Sequence, residues 1–165
     1  MNTNADRAPL QLRLVRRRQV LARGLAGALV GAGATIAVRP ASATPEALRQ
    51  AVAAFTGGRV PNNGRVKLDL AELVENGNAV PVTVSVQSPM TEADHVRRIA
   101  LFTELNPEPS VAVFHLSPRN GRAVVATRMR LATSQQVLAL AQMSDGTLWQ
   151  TAMDVVVTLA ACVEG

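Results

Sequence analysis

The chain has 165 residues, 48% of them hydrophobic, 2% aromatic and 18% charged, with a formal net charge of +5. That charge is local: seven of the 17 Lys and Arg and one of the 12 Asp and Glu lie in residues 1–43, so the other 122 residues carry ten bases against eleven acids, a net charge of −1. Without a basic patch interleaved with aromatics this balance argues against nucleic-acid binding, and the single cysteine excludes an internal disulfide.

Residues 1–43 read as an export signal. A basic opening ends in Arg16-Arg17-Arg18, an apolar stretch runs from Val20 to Val38, and Ala41-Ser42-Ala43 fits a small-residue cleavage pattern. Arg17-Arg18-Gln19-Val20-Leu21 resembles the twin-arginine motif, in which two arginines precede any residue and then two apolar ones. Arg23, the many Gly and Ala, and the break at Arg39-Pro40 make the stretch a poor permanent anchor. The expectation is export through the twin-arginine pathway to a bacterial periplasm, with cleavage before Thr44 and no membrane attachment afterwards.

The 122 residues from Thr44 suffice for one domain with a modest core. The stretch from Thr44 predicts one helix: Thr44 is the N-cap, Pro45 and Glu46 occupy the first turn, Leu48, Val52 and Phe55 share a face, and Gly57-Gly58 is the stop. Seven strands follow, over Arg65–Leu70, Val80–Ser88, Val96–Leu105, Val111–Leu116, Ala123–Leu131, Val137–Met143 and Leu148–Leu159. Most are rich in Val or alternate apolar with polar, as in Val82-Thr83-Val84-Ser85-Val86. Turn clusters separate them, among them Glu75-Asn76-Gly77-Asn78, Asn106-Pro107-Glu108-Pro109 and Ser144-Asp145-Gly146. Short strands at this spacing, without alternating helices, predict an all-β immunoglobulin-like sandwich over residues 44–159.

Few residues carry the pattern of a catalytic centre. There is no HExxH, no Gly-rich phosphate loop and no GxSxG, so no catalytic site, metal or cofactor is expected. His95 and His115 stand twenty residues apart and read as edge or surface residues; a metal or small-ligand site built on either is the weakest reading. Trp149 and the Phe residues are expected in the core.

The stretch from Leu70 to Trp149, with the phrases "ENGNAVPVTVSV", "SPMTEADHV" and "AQMSDGTLW", resembles the SoxY family, sulfur carriers of the periplasmic thiosulfate-oxidising Sox system. The likeness runs from about Val66 to Cys162, and the leader fits it. It implies an immunoglobulin-like sandwich without catalysis of its own, paired with a SoxZ-like sandwich protein, carrying sulfur intermediates on a C-terminal cysteine between Sox-type periplasmic enzymes.

On that resemblance Cys162 is the carrier thiol, on an arm formed by Ala160, Ala161, Val163, Glu164 and Gly165. A chain end has fewer backbone constraints than a loop and reaches a partner's cleft, and the thiolate is the nucleophile. The family's arm reads Gly-Gly-Cys-Gly-Gly; this one is closest to a SoxY-related subgroup with an Ala-Ala-Cys-Ile-Glu arm, Val163 replacing Ile. Alanine removes the φ > 0 freedom of glycine, Val163 is stiff, and Glu164 disfavours a neighbouring thiolate and an anionic cargo. The alternative is a non-covalent interaction subunit that pairs with a SoxZ-like protein and has a vestigial cysteine.

Overall fold

The computed structural model describes residues 44–161. The leader with Arg17 and Arg18, and the chain end with Cys162, Val163, Glu164 and Gly165, lie outside the described residues.

Helix α1 spans Pro45–Thr56. Thr44 is extended and its Oγ1 accepts the Ala47 N–H at 3.2 Å, while Pro45 lacks an N–H that the first turn could not have paired. Gly57 ends the helix at φ 64°, a left-handed conformation suited to glycine.

Among the described residues nine strands follow: β1 (Asn62–Asn63), β2 (Val66–Asp69), β3 (Leu73–Asn76), β4 (Val80–Val86), β5 (Val96–Thr103), β6 (Ser110–His115), β7 (Val124–Met129), β8 (Gln135–Met143) and β9 (Leu148–Leu159). They form a two-sheet, immunoglobulin-like sandwich. The larger sheet runs β1-β9-β8-β5-β6, with β3 also on β9; the smaller runs β2-β4-β7. All seven expected strands are present, and two more, β1 and β3, share the free edge of β9. β1 pairs in parallel with Trp149 and Gln150, and β3 in parallel with Val156, Val157 and Leu159. The expected turn at Glu75-Asn76-Gly77-Asn78 therefore starts later, because Glu75 and Asn76 complete β3.

Alternation predicts the smaller sheet well. Val80, Val82, Val84 and Val86 of β4 are buried and face the larger sheet, while the residues between them are exposed or half-buried. The larger sheet is covered twice. Its inner face contributes Ile99, Leu101, Val137, Ala139, Ala141 and Val155 to the sandwich core. Its outer face packs Ala100, Phe102, Leu140 and Leu148 against Phe55, Leu48, Ala51 and Val52 of α1. Burial on both sides explains why Ile99-Ala100-Leu101-Phe102 is a continuous apolar run. Phe55 and Phe102 meet edge to face with ring centroids 6.0 Å apart. Trp149, by contrast, is only half-buried against the core, with the Arg65 guanidinium 5.1 Å from its ring centroid.

The β8–β9 turn is closed by Asp145, whose carboxylate accepts the Thr147 N–H and hydroxyl, both at 2.8 Å. These bonds hold the Asp145 carboxyl below its ordinary range.

If α1 closes the outer face of the sheet, Phe55→Ala leaves a void between helix and sheet. The expected loss is about 3 kcal/mol or more of unfolding free energy, read from the urea midpoint; a change below the scatter of surface mutants would show that the helix does not stabilise the sandwich.

Candidate functional site

β9 is the longest strand, and its last turn of sequence leads to the cysteine. Several groups hold that end. Ser134 Oγ accepts the Val157 N–H at 2.9 Å, and the Thr158 hydroxyl donates to the Glu75 carbonyl at 3.1 Å. The Gly77 N–H donates to the Leu159 carbonyl at 2.9 Å. Ala160 is exposed, but Ala161, expected in a free arm, is buried, and its N–H donates to the Leu131 carbonyl at 3.2 Å. The sandwich therefore grips the chain as far as the residue before Cys162.

Leu131 is the counterpart of this grip. It is fully buried, its N–H donates to the Gly77 carbonyl at 2.8 Å, and its carbonyl receives Ala161. Asn106 fixes the flanking residues: its Nδ2 donates to the Arg130 carbonyl at 2.8 Å and its Oδ1 accepts the Ala132 N–H at 3.0 Å. Gln135, itself buried, donates to the same Oδ1 at 2.8 Å and accepts the Leu105 N–H at 2.8 Å. A buried polar network with its partners satisfied defines one geometry.

Gly77 is required here by closeness, not by its backbone angles. A Cβ on it would lie 2.3 Å from the Leu131 carbonyl oxygen, 3.0 Å from the Ala161 nitrogen and 3.1 Å from a Val157 methyl. Only glycine lets the turn after β3, the segment between β7 and β8, and the end of β9 meet at one point.

His95 and His115, separated in sequence, line one cavity together with Arg97, Arg98, Leu116 and Gln142. It sits at the other end of the larger sheet: Gln142 pairs with Leu148 at the start of β9, and Gln135 with Val155 near its end. Among the described residues no group of three or more His, Cys, Asp or Glu is placed to hold a metal ion, and no helix is long and apolar enough to cross a membrane.

Gly77→Ala should force the three segments apart. The expected cost is about 1–3 kcal/mol in unfolding free energy, with faster amide exchange at Leu131 and Ala161. Unchanged stability and exchange would mean that the junction relaxes freely.

Among solved structures, the fold is similar to a superoxide reductase (neelaredoxin) from Ignicoccus hospitalis, with 21% identity, a TM-score of 0.51, and coverage of 57% of this chain and 80% of that one. A superoxide reductase from Nanoarchaeum equitans is similar at 12% identity and a TM-score of 0.50, over 58% of this chain and 100% of that one. At such identities the likeness concerns the fold alone. No curated protein matches the chain. Residues 52–162 match the family described as sulfur oxidation protein SoxY, a span that includes α1 from Val52, all nine strands, the Gly77–Leu131–Ala161 junction and Cys162. The chain belongs to the SoxY family.

Proposed function

We propose that this SoxY-family chain is a periplasmic sulfur carrier that holds a sulfur intermediate covalently on Cys162 and presents it to partner enzymes of a Sox-type pathway. The observation that carries the reading is the anchoring of Ala161, the residue immediately before Cys162, where the family match ends. A carrier of this kind contributes reach and a fixed starting point for the arm, while the chemistry belongs to the partner's cleft.

With thiosulfate as cargo, the Cys162 thiolate and the outer sulfur of thiosulfate form a sulfur–sulfur bond. The step gives R–S–S–SO3− and releases two electrons, so the loading enzyme must be an electron acceptor. Glu164 opposes the approach of that dianion, and the loading site must supply the compensating positive charge. Ala161 has a packed place in this arm, which gives its departure from glycine a structural role.

Export by the twin-arginine route and pairing with a SoxZ-like sandwich belong to the same proposal. Pairing is supported by apolar side chains that the fold leaves exposed on the paired strands β3 and β9: Leu73 and Val156, which are in register, and Leu159. That strip is also what favours the interaction-subunit reading should Cys162 carry nothing.

Intact-mass measurement on protein purified from its own periplasm should show a sulfur adduct that a reductant removes and that Cys162→Ser abolishes, with partner binding kept. Unmodified Cys162 in native material would leave the interaction subunit as the better reading. Replacing both Arg17 and Arg18 by Lys should block export, detected as loss of the mature form from the periplasmic fraction; normal export of the double variant would remove the twin-arginine route.

A further inference from the structure

The cavity at the far end of the larger sheet has a volume of about 450 Å3, within the size of small-molecule sites. Six residues line it: His95, Arg97, Arg98, His115, Leu116 and Gln142. Among these described residues four are basic and none is acidic, on a domain whose net charge without the leader is −1. The nearby Asp94 carboxylate turns to Arg65, at 3.9 Å.

The register shows how three neighbouring strands, β6, β5 and β8, assemble it. Arg98 lies opposite His115 on β6 and opposite Gln142 on β8. The β5–β8 pairing shifts between Val96 and Arg98, a bulge that leaves Arg97 without a partner on β8 and brings two consecutive arginines to one cavity.

The walls are partly preorganised. Arg98 Nε donates to Gln142 Oε1 at 2.8 Å, its Nη2 donates to the Phe55 carbonyl at 3.3 Å, and its guanidinium lies 4.6 Å from the Phe55 ring centroid. These contacts hold the fork while Nη1 has no hydrogen bond among the described residues. His95 Nδ1 lies 3.0 Å from the Thr91 carbonyl, which orients the ring and leaves Nε2 unbonded among the described residues. Arg97 and His115 make no side-chain hydrogen bond among the described residues, and both are exposed. Like charges gathered in a concave site raise the local potential and attract counter-ions, and the guanidinium fork matches the oxygens of tetrahedral oxyanions.

We propose that this cavity, framed by Arg97, Arg98, His95 and His115, is a non-covalent binding site for a small inorganic oxyanion of the sulfate and thiosulfate class. It lies far from Ala161. The seven residue-to-residue steps from Gln135 to Gln142 along β8 span roughly 24 Å at about 3.4 Å per step, so the bound anion is not in reach of Ala161 on the same chain. The choice of sulfur oxyanions over phosphate rests on the SoxY membership; the cationic lining rests on geometry alone.

The test is calorimetric titration of the Cys162→Ser chain with thiosulfate, sulfate and phosphate at fixed ionic strength. Because covalent loading is impossible in that variant, its outcome is independent of the carrier reading. One equivalent of thiosulfate or sulfate should bind, and Arg97→Ala combined with His115→Gln should weaken it at least tenfold with an unchanged thermal midpoint. Removing arginines elsewhere, by Arg122→Ala and Arg128→Ala, should leave the affinity within twofold. Absence of binding, equal loss in the control pair, or binding of phosphate without either sulfur oxyanion would overturn the proposal.

Discussion

The end of β9 is held by a contact that tolerates no side chain. Gly77 lies so close to the Leu131 carbonyl that a Cβ could not be placed between them, and the same carbonyl accepts the Ala161 N–H. Three segments distant in sequence meet there: the turn after β3, the link from β7 to β8, and the end of β9. The parallel pairing of β3 with Val156, Val157 and Leu159 and the satisfied network around Asn106 and Gln135 surround that point. The position from which the cysteine arm starts is thus a property of the core, not of the arm.

The larger sheet links this junction to the opposite end of the molecule. Covered by α1 on one face and by the smaller sheet on the other, β5 and β8 have close-packed side chains on both sides, which resist deformation. Arg98 shows how closely support and surface are joined. Its Nη2 donates to the Phe55 carbonyl in the last turn of α1, where a cation is favoured, and so ties the helix to the sheet while the side chain also lines the cavity. The sandwich holds Ala161 by hydrogen bonds at one end and gathers Arg97 and Arg98 around a cavity at the other.

Much of this was legible in the sequence. Thr44, Pro45 and Gly57 mark α1 through local capping chemistry, and the valine alternation of β4 states which face is buried. β3 was hidden because its pairing is parallel and non-local, its only buried residue is Val74, and Glu75-Asn76 sits in what reads as a turn. β1 is two exposed asparagines, with no hydrophobic signal at all. The role of Gly77 depends on distances to Leu131 and Ala161, which no local rule supplies. His95 and His115 seemed remote from each other for the same reason. The Asn106-Pro107-Glu108-Pro109 turn between the strands over Val96–Leu105 and Val111–Leu116 is the sequence signal for a hairpin, and that hairpin sets Arg98 opposite His115.

The family match gives Cys162 its context, and the fold gives it a fixed origin. An alanine at position 161, buried and hydrogen-bonded, anchors the chain at the residue before Cys162. The most direct measurement is native-state hydrogen exchange at the Ala161 amide, followed by NMR on the folded full chain. The account predicts protection comparable with the β8–β9 amides such as that of Val155. Exchange at the rate of an unstructured peptide would contradict it, since the arm would then begin before the junction and not after it.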